Sequence, residues 1–270
     1  MAIPPQFGPI GLTRVSAPDG RAWAQVTPSG GIARLEVDEL SLIQHPATAM
    51  AAGLCNLHLR RHEGGAVRHT PLFGPSGHGA WSAGEDTVVV RGEWDGIGYA
   101  AALVLGPGPV WTWRVELRNA IDRDVEVDVV LTQDPALTPW GAVRRNEYFV
   151  SQYLDVTPVD VPDHGVALAV RQNMPGDAAP WLIVAGIGAI ASWSTDALQL
   201  VDRDDPVAWA GLGRPTLPST RLQHEHTLLG LQATPVRLGP GRARQPASPA
   251  WSFPTTPARA DRATGPTPSG

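Results

Sequence analysis

The sequence predicts an all-β fold, a large two-sheet antiparallel β-sandwich. Three observations point there. Apolar and polar residues alternate with a period of two in one segment after another, most clearly from Trp111 to Leu117. That period puts each set on one side of a sheet. The 29 Gly and 27 Pro fall at almost every joint between such segments, where tight turns need them. Long segments with a 3.6-residue period are absent, and 270 residues suffice for one large all-β domain or two small ones.

Residues 1–20, with Pro4, Pro5 and Pro18, read as an irregular arm, and residues 21–240 as the sandwich. Ile32 to Val37 is short and β-prone, and Leu54 to Arg60 alternates. Thr87 to Trp94 places Val88, Val90 and Trp94 on one face; Tyr99 to Leu105 does the same with Tyr99, Ala101, Leu103 and Leu105. Next, Trp111, Trp113, Val115 and Leu117 share a face opposite Arg114 and Glu116, and Val125, Val127, Val129 and Leu131 share another. The polar link from Asn119 to Asp124 is short enough for a hairpin, so these two strands are expected to pair with each other. Val166 to Val170 is a further strand. Trp181 to Ala191 reads as one strand buried on both faces, and Thr220 to Gln232 fits helix and strand equally poorly. Residues 241–270 are almost all Pro, Ala, Arg, Thr, Ser and Gly. Such a composition buries too little apolar surface to offset chain entropy, and it predicts disorder.

The formal charge of −5 leaves no basic footprint for nucleic acid. No apolar run approaches a membrane span, and the amino terminus lacks the charged and apolar regions of a signal peptide. The cytoplasm is therefore the expected compartment. The basic side chains other than His are all Arg, a bias that goes with the abundant Ala, Gly and Pro, so the Arg count says little about function. Cys55 is the only cysteine and alternates with Leu57 and Leu59, the pattern of a small core residue.

The densest set of planar hydrogen-bonding side chains runs from Gly141 to Met174: Arg144, Asn146, Glu147, Gln152, Arg171, Gln172 and Asn173, with Arg145 alongside and Tyr148, Phe149 and Tyr153 threaded among them. Such groups suit sugar hydroxyls and C–H faces. They suit equally a polar segment that ties two sheets together, because buried polar groups need partners in any case, and composition alone favours this second reading. Arg144, Asn146, Glu147, Gln152, Tyr153 and Arg171 are expected to cluster at one end or face of the sandwich, where they can satisfy one another.

Other chemistries fail on spacing. His58, His62 and His69 lie close together without a Cys pair or an HExxH motif, and His224 and His226, which flank Glu225 and would project one way on a strand, read as a weak site or, by preference, a solvated edge. No metal or cofactor is expected. No GxSxG elbow is present, and the Gly186 to Gly188 and Gly211 to Pro215 turns lack the helix that a phosphate cradle requires. Glu147, Asp155 and Asp134 are the candidate carboxylates of the central region, but no pair can be assigned to glycoside hydrolysis from spacing. No catalytic residue is expected in this chain.

NEYFVSQYLD (Asn146 to Asp155) followed by RQNM, and preceded by QDPALTPWGAVR, resembles the N-terminal region of the 1,2-β-oligoglucan phosphorylases, in the glycoside phosphorylase family that includes cellobiose phosphorylase. The blocks GLCNLHLR, PLFGPSG, GEWDGIGY and VWTWRVEL extend the resemblance over roughly residues 25 to 240. It implies a supersandwich of the galactose mutarotase-like kind. In an intact relative it also implies reversible phosphorolysis of a β-glucoside, with the acid supplied by a downstream helical barrel and inorganic phosphate as nucleophile. No such barrel is present here, so the chain is expected to be a truncated or stand-alone carbohydrate-associated module without catalysis of its own. The implied partners are a β-glucan oligosaccharide, the barrel domain of intact relatives and a second copy of the chain. Two other readings stand beside it. One is a complete small mutarotase-like enzyme using His164 as acid and Glu147 as base on one concave sheet. The other is an interaction module with no affinity for sugar.

Overall fold

The computed structural model describes residues 11–174, 179–202, 204, 208–223, 226–241 and 251–260, with Glu147, Tyr148 and 251–260 as backbone only. In chain order the strands are β1 (Thr13–Ser16), β2 (Ala22–Val26), β3 (Ile32–Val37), β4 (Leu40–Ser41), β5 (Asn56–Glu63), β6 (Ala66–Pro71), β7 (Gly79–Ala83), β8 (Thr87–Trp94), β9 (Ile97–Leu105), β10 (Trp111–Asn119), β11 (Val125–Gln133) and β12 (Thr138–Pro139). Two six-residue helices come next, α1 (Trp140–Arg145) and α2 (Glu147–Gln152). Then come β13 (Leu154–Val161), β14 (Gly165–Gln172), β15 (Ala179–Val184), β16 (Ile190–Asp196), β17 (Thr227–Ala233), β18 (Val236–Leu238) and β19 (Trp251–Ala260).

An eight-stranded sheet runs in the order β13-β14-β15-β19-β10-β9-β8-β7. A six-stranded sheet runs β16-β17-β11-β5-β6, with β18 also on β11, and a smaller sheet of five runs β1-β2-β3-β4-β12. All the pairings are antiparallel. One apolar cluster draws on all three sheets: Trp111, Trp113, Val115 and Leu117 meet Leu57, Leu59, Val127, Val129, Leu131 and Leu231, with Val26 and Leu35 at one side. Trp111 and Trp113 are fully buried, and Phe73 meets Trp113 edge-on at 5.2 Å between ring centroids. Arg114 and Glu116, on the opposite face of the strand, are exposed, as strict alternation requires. Cys55 is buried, and burial pushes its thiol well above the usual cysteine range.

Several expectations are corrected. β10 and β11 do not pair with each other: β10 lies between β9 and β19, and β11 between β5 and β17. The link between them carries the chain from one large sheet to the other. Asn119 fixes it, with Nδ2 donating to Arg123 O (2.7 Å) and Leu238 O (3.0 Å) and Oδ1 accepting from Ile121 N (3.0 Å). The apolar faces of both strands still point into one core, so the same alternation serves either arrangement.

The stretch from Trp181 to Ala191 is broken at residues 185–189, and its two parts, β15 and β16, belong to different sheets. The second half of the ambiguous segment from Thr220 is a strand, β17. The first arm contains β1, which pairs with β2. Within the tail, 251–260 forms β19 between β10 and β15. Composition missed this because a strand entering between two others draws on backbone groups already waiting there, and needs no apolar face of its own to pair. The remainder, 242–250 and 261–270, lies outside the described residues.

The second face of the six-stranded sheet is polar. It carries His58, Arg60 and His62 from β5, Asp128 and Thr132 from β11, Gln232 from β17, and Ser192 and Ser194 from β16. The described residues of 197–202 and 208–218 fold over it through two 3-10 turns, Ala197–Gln199 and Ala210–Gly213, and a small apolar cluster of Val130, Leu200, Leu212, Leu217 and Leu228 seals the contact. Gly211 lets the cover approach: a Cβ there would lie 2.1 Å from Gln199 O. Beneath the cover, Asp128 takes both Arg60 Nε and Nη2 at 2.7 Å, His62 Nε2 at 2.9 Å and Gln232 Nε2 at 2.7 Å. Arg60 spends its other donors on Leu212 O, Arg214 O and Pro215 O of the cover. Burial alone would raise the Asp128 carboxyl, but the hydrogen bonds from Arg60 and His62 outweigh it and hold the group below the usual carboxylate range.

Candidate functional site

The helices α1 and α2 cap one corner of the sandwich, where β11 ends, β13 and β17 begin, and the segment after β4 passes. The corner is built from the QDP turn. Asp134, fully buried, accepts at Oδ2 from Gln44 N (3.1 Å) and His45 N (2.6 Å). Gln44 then bridges outward, with Nε2 donating to Pro135 O (2.7 Å) and Ser151 Oγ (2.9 Å). Ser151, on α2, accepts at Oγ from Thr227 N at 3.2 Å. Three parts of the chain distant in sequence are thereby tied beneath α2. Leu137 turns the chain with φ of 56°, a left-handed conformation uncommon for leucine, and is held there by burial and by its N–H to Ser41 O at 2.8 Å.

Two imidazoles complete the corner. His45 Nδ1 lies 3.4 Å from Asp134 Oδ2, and the His45 and His226 rings sit 4.4 Å apart, tilted by 37°. One ligand atom from each of His45, Asp134 and His226 lies within 4.8 Å of the others. Burial holds His226 below the usual histidine range, the Asp134 charge pulling the other way. Asp134 Oδ1 and His226 Nε2 are buried and make no hydrogen bond among the described residues.

The side chains singled out from the sequence surround this corner. Gln172 is buried and ties β14 to the QDP segment, with Nε2 donating to Ala136 O (3.2 Å) and Oε1 accepting from Met174 N (2.9 Å). Tyr153 and Asn173 meet through their backbones (Asn173 N to Tyr153 O, 2.8 Å), and Arg171 pairs across the strands with Asp155 on one side and Trp181 on the other. The Arg171 guanidinium lies 5.7 Å from the Trp181 ring, and Arg144 5.6 Å from the Trp140 ring. Asn146, Gln152, Tyr153, Arg171 and Asn173 are exposed. Glu147 and Tyr148 are placed as backbone in α2. Phe149 and Tyr153 project into solvent, 59% and 41% exposed.

His164 is elsewhere. It sits in the turn after β13, with Nδ1 2.8 Å from Ile187 O, while α2 leads into the opposite end of that strand. Eight strand residues span roughly 26 Å, so the strand does not bring His164 to Glu147. Asp155 forms an ion pair with Arg221. Of the singled-out carboxylates whose side chains are described, Asp134 lies inside the corner. The His45–Asp134–His226 grouping was not legible in the sequence, since His45 and Asp134 stand 89 residues apart. The one local signal was the histidine pair around Glu225.

Comparison with known proteins agrees with this architecture. The chain is 26% identical over 208 residues to the 1,2-β-oligoglucan phosphorylase of Listeria innocua, an alignment covering 76% of this chain and 18% of that protein. Among solved structures, a candidate aldose 1-epimerase from Escherichia coli K12 superposes with a TM-score of 0.51 at 10% identity, covering 92% of this chain and 99% of the other. A polysaccharide lyase superposes with a TM-score of 0.54 at 11% identity, covering 92% of this chain and 33% of the other. At such identities the superpositions speak for the fold alone. The family model for the SOGP N-terminal domain matches residues 25–246, a span that takes in the six-stranded sheet, the eight-stranded sheet apart from β19, the sealed polar face and the helical corner, and the chain belongs to that family.

Proposed function

We propose that this chain is a non-catalytic, carbohydrate-associated β-sandwich module, of the kind that precedes the catalytic barrel of a 1,2-β-oligoglucan phosphorylase. The chain spans 18% of the length of the curated relative it matches, so phosphorolysis itself is assigned to the rest of that longer protein. The observation that carries this reading is the sealed polar face. An epimerase-like reaction needs an acid and a base open to substrate on one sheet. Here Arg60, Asp128 and Gln232 are consumed by one another and by the carbonyls of residues 212–215.

The surface left for recognition is the corner and the outer face of β13–β15. Arg171 and Trp181, with Tyr153 at the strand entry and Phe149 on α2, offer planar donors and aromatic faces to solvent. Such a surface suits a β-glucan oligosaccharide or the apposed face of a barrel domain. Brace and recognition surface are compatible roles here: Gln172, Gln44 and Ser151 brace from within, and the exposed residues recognise from without.

The test is direct. The purified chain, incubated with 1,2-β-glucan oligosaccharides and inorganic phosphate, should release no glucose 1-phosphate. Titration with the same oligosaccharides should show weak binding that Trp181→Ala and Tyr153→Ala reduce. Turnover in a preparation free of host enzymes would overturn the non-catalytic reading, and binding unchanged by both substitutions would remove this surface from it.

A further inference from the structure

We infer that His45, Asp134 and His226 form a binding site for a divalent transition cation of the zinc type. Three potential ligand atoms, one from each residue, already lie within 4.8 Å of one another. Two imidazoles and one carboxylate are a donor set suited to zinc and its transition-metal neighbours, whereas magnesium and calcium prefer oxygen throughout.

The independent pointer is the state of Asp134. Its side chain is fully buried, yet Oδ1 accepts no hydrogen bond among the described residues. An ionised oxygen removed from water without a partner is costly, and a cation is one of the few partners that resolve the cost. His226 Nε2 is buried and without a hydrogen bond in the same way.

The surroundings have the form of a supported metal site. The other carboxylate oxygen, Oδ2, is oriented by the N–H groups of Gln44 and His45, as outer-shell donors commonly orient a ligating carboxylate. The His45 side chain is 41% exposed, which gives an entry path and leaves room for water as a fourth ligand.

The ligands come from the segment after β4 of the five-stranded sheet, the end of β11 and the start of β17 of the six-stranded sheet. A bound ion would therefore cross-link two sheets directly beneath α2. The proposal concerns this cross-link and is independent of whether the outer surface binds sugar.

The experiment uses the whole chain, stripped with a chelator and dialysed. Isothermal titration with zinc chloride should show one site per chain. At about a hundredfold excess over the dissociation constant, the melting temperature should rise by about 5–10 °C, and magnesium chloride should leave it unchanged. His45→Ala, at a partly exposed position, should fold, lose the zinc-dependent rise in melting temperature and lose at least tenfold in zinc affinity. Asp134→Asn should lose affinity as well, while His164→Ala, remote from the corner, should keep it. Absence of zinc binding by the parent chain, or binding by His45→Ala as tight as the parent's, would overturn the assignment.

Discussion

Asp128 and Asp134 belong to the same run of chain, the first within β11 and the second just past its end, and both are fully buried. They differ in how they are answered. Asp128 meets Arg60 directly across the β5–β11 ladder, and His62 and Gln232 take what remains of its acceptor capacity. Asp134 has one oxygen held by two backbone N–H groups and the other unmet among the described residues. The first carboxylate is finished by the fold; the second is finished only by something added to it. A buried charge marks a functional site when its partners are incomplete, and burial by itself does not separate the two cases.

Removing charge at the two positions should separate them most strongly. Asp128→Asn leaves Arg60 as an uncompensated buried cation and should cost about 3–5 kcal/mol, read as a shift in the urea midpoint at constant slope. Asp134→Asn in stripped protein should cost no more than about 1 kcal/mol, because it gives up charge-assisted hydrogen bonds but also removes an unmet buried charge. Equal losses at the two positions would break the comparison.

The next effect contrasts two amides at the same corner. Gln172→Ala should cost about 1–3 kcal/mol, since it strands Ala136 O and Met174 N. Gln152→Ala, at an exposed position, should stay within about 0.5 kcal/mol. A large loss at Gln152 would mean that the outer residues also brace the fold.

The smallest effect is acid sensitivity of the sealed face. Burial, with the charges of His69 and Arg60 adding to it, holds His58 well below the usual histidine range, and burial does the same more mildly for His69. The unfolded chain therefore binds more protons than the folded one below an ordinary histidine pKa of about 6.5. Stability is full above that value and falls as pH drops from it towards the lowered folded pKa, by up to about 1.4 kcal/mol per pH unit from His58. Melting curves from pH 7 to pH 5 check this. A curve flat across that window, or one that His58→Asn leaves just as steep, would show that the sealed face does not exclude protons.

Much of the fold was legible because period-two alternation reports directly which face of a strand is buried. Trp111, Trp113, Val115 and Leu117 obeyed it residue by residue. What alternation does not report is the neighbour. Val125, Val127 and Val129 face the same core from the opposite sheet, and their pattern is identical to that of a hairpin partner. The break at residues 185–189 was hidden for a related reason, since an apolar run with glycines reads as one buried strand until its two halves are assigned to sheets.

The site was less legible. Gln172 and the exposed Tyr153 and Arg171 could be chosen by residue type, but no rule of spacing joins His45 to Asp134 and His226. Their meeting is a property of topology, created where β4, β11 and β17 end or begin at one corner. The cover over the polar sheet face was equally hidden: Gly211 reads as an ordinary turn residue until Gln199 O is seen 2.1 Å from where its Cβ would stand.

The order of strands in the largest sheet bears on how the chain comes to be folded during synthesis. β19 lies between β15 and β10, so the eight-stranded sheet consists of two separate ribbons until the last of its strands has been made. Both ribbons then present an unpaired row of N–H and C=O groups, a surface that invites pairing with other chains. The two proline residues of β19, Pro254 and Pro257, lack N–H groups, so the strand that joins the ribbons is also a poor template for further copies of itself. A ribosome working from the amino terminus leaves that gap open longest, and the period of greatest exposure to aggregation ends only when residues 251–260 are free to enter it.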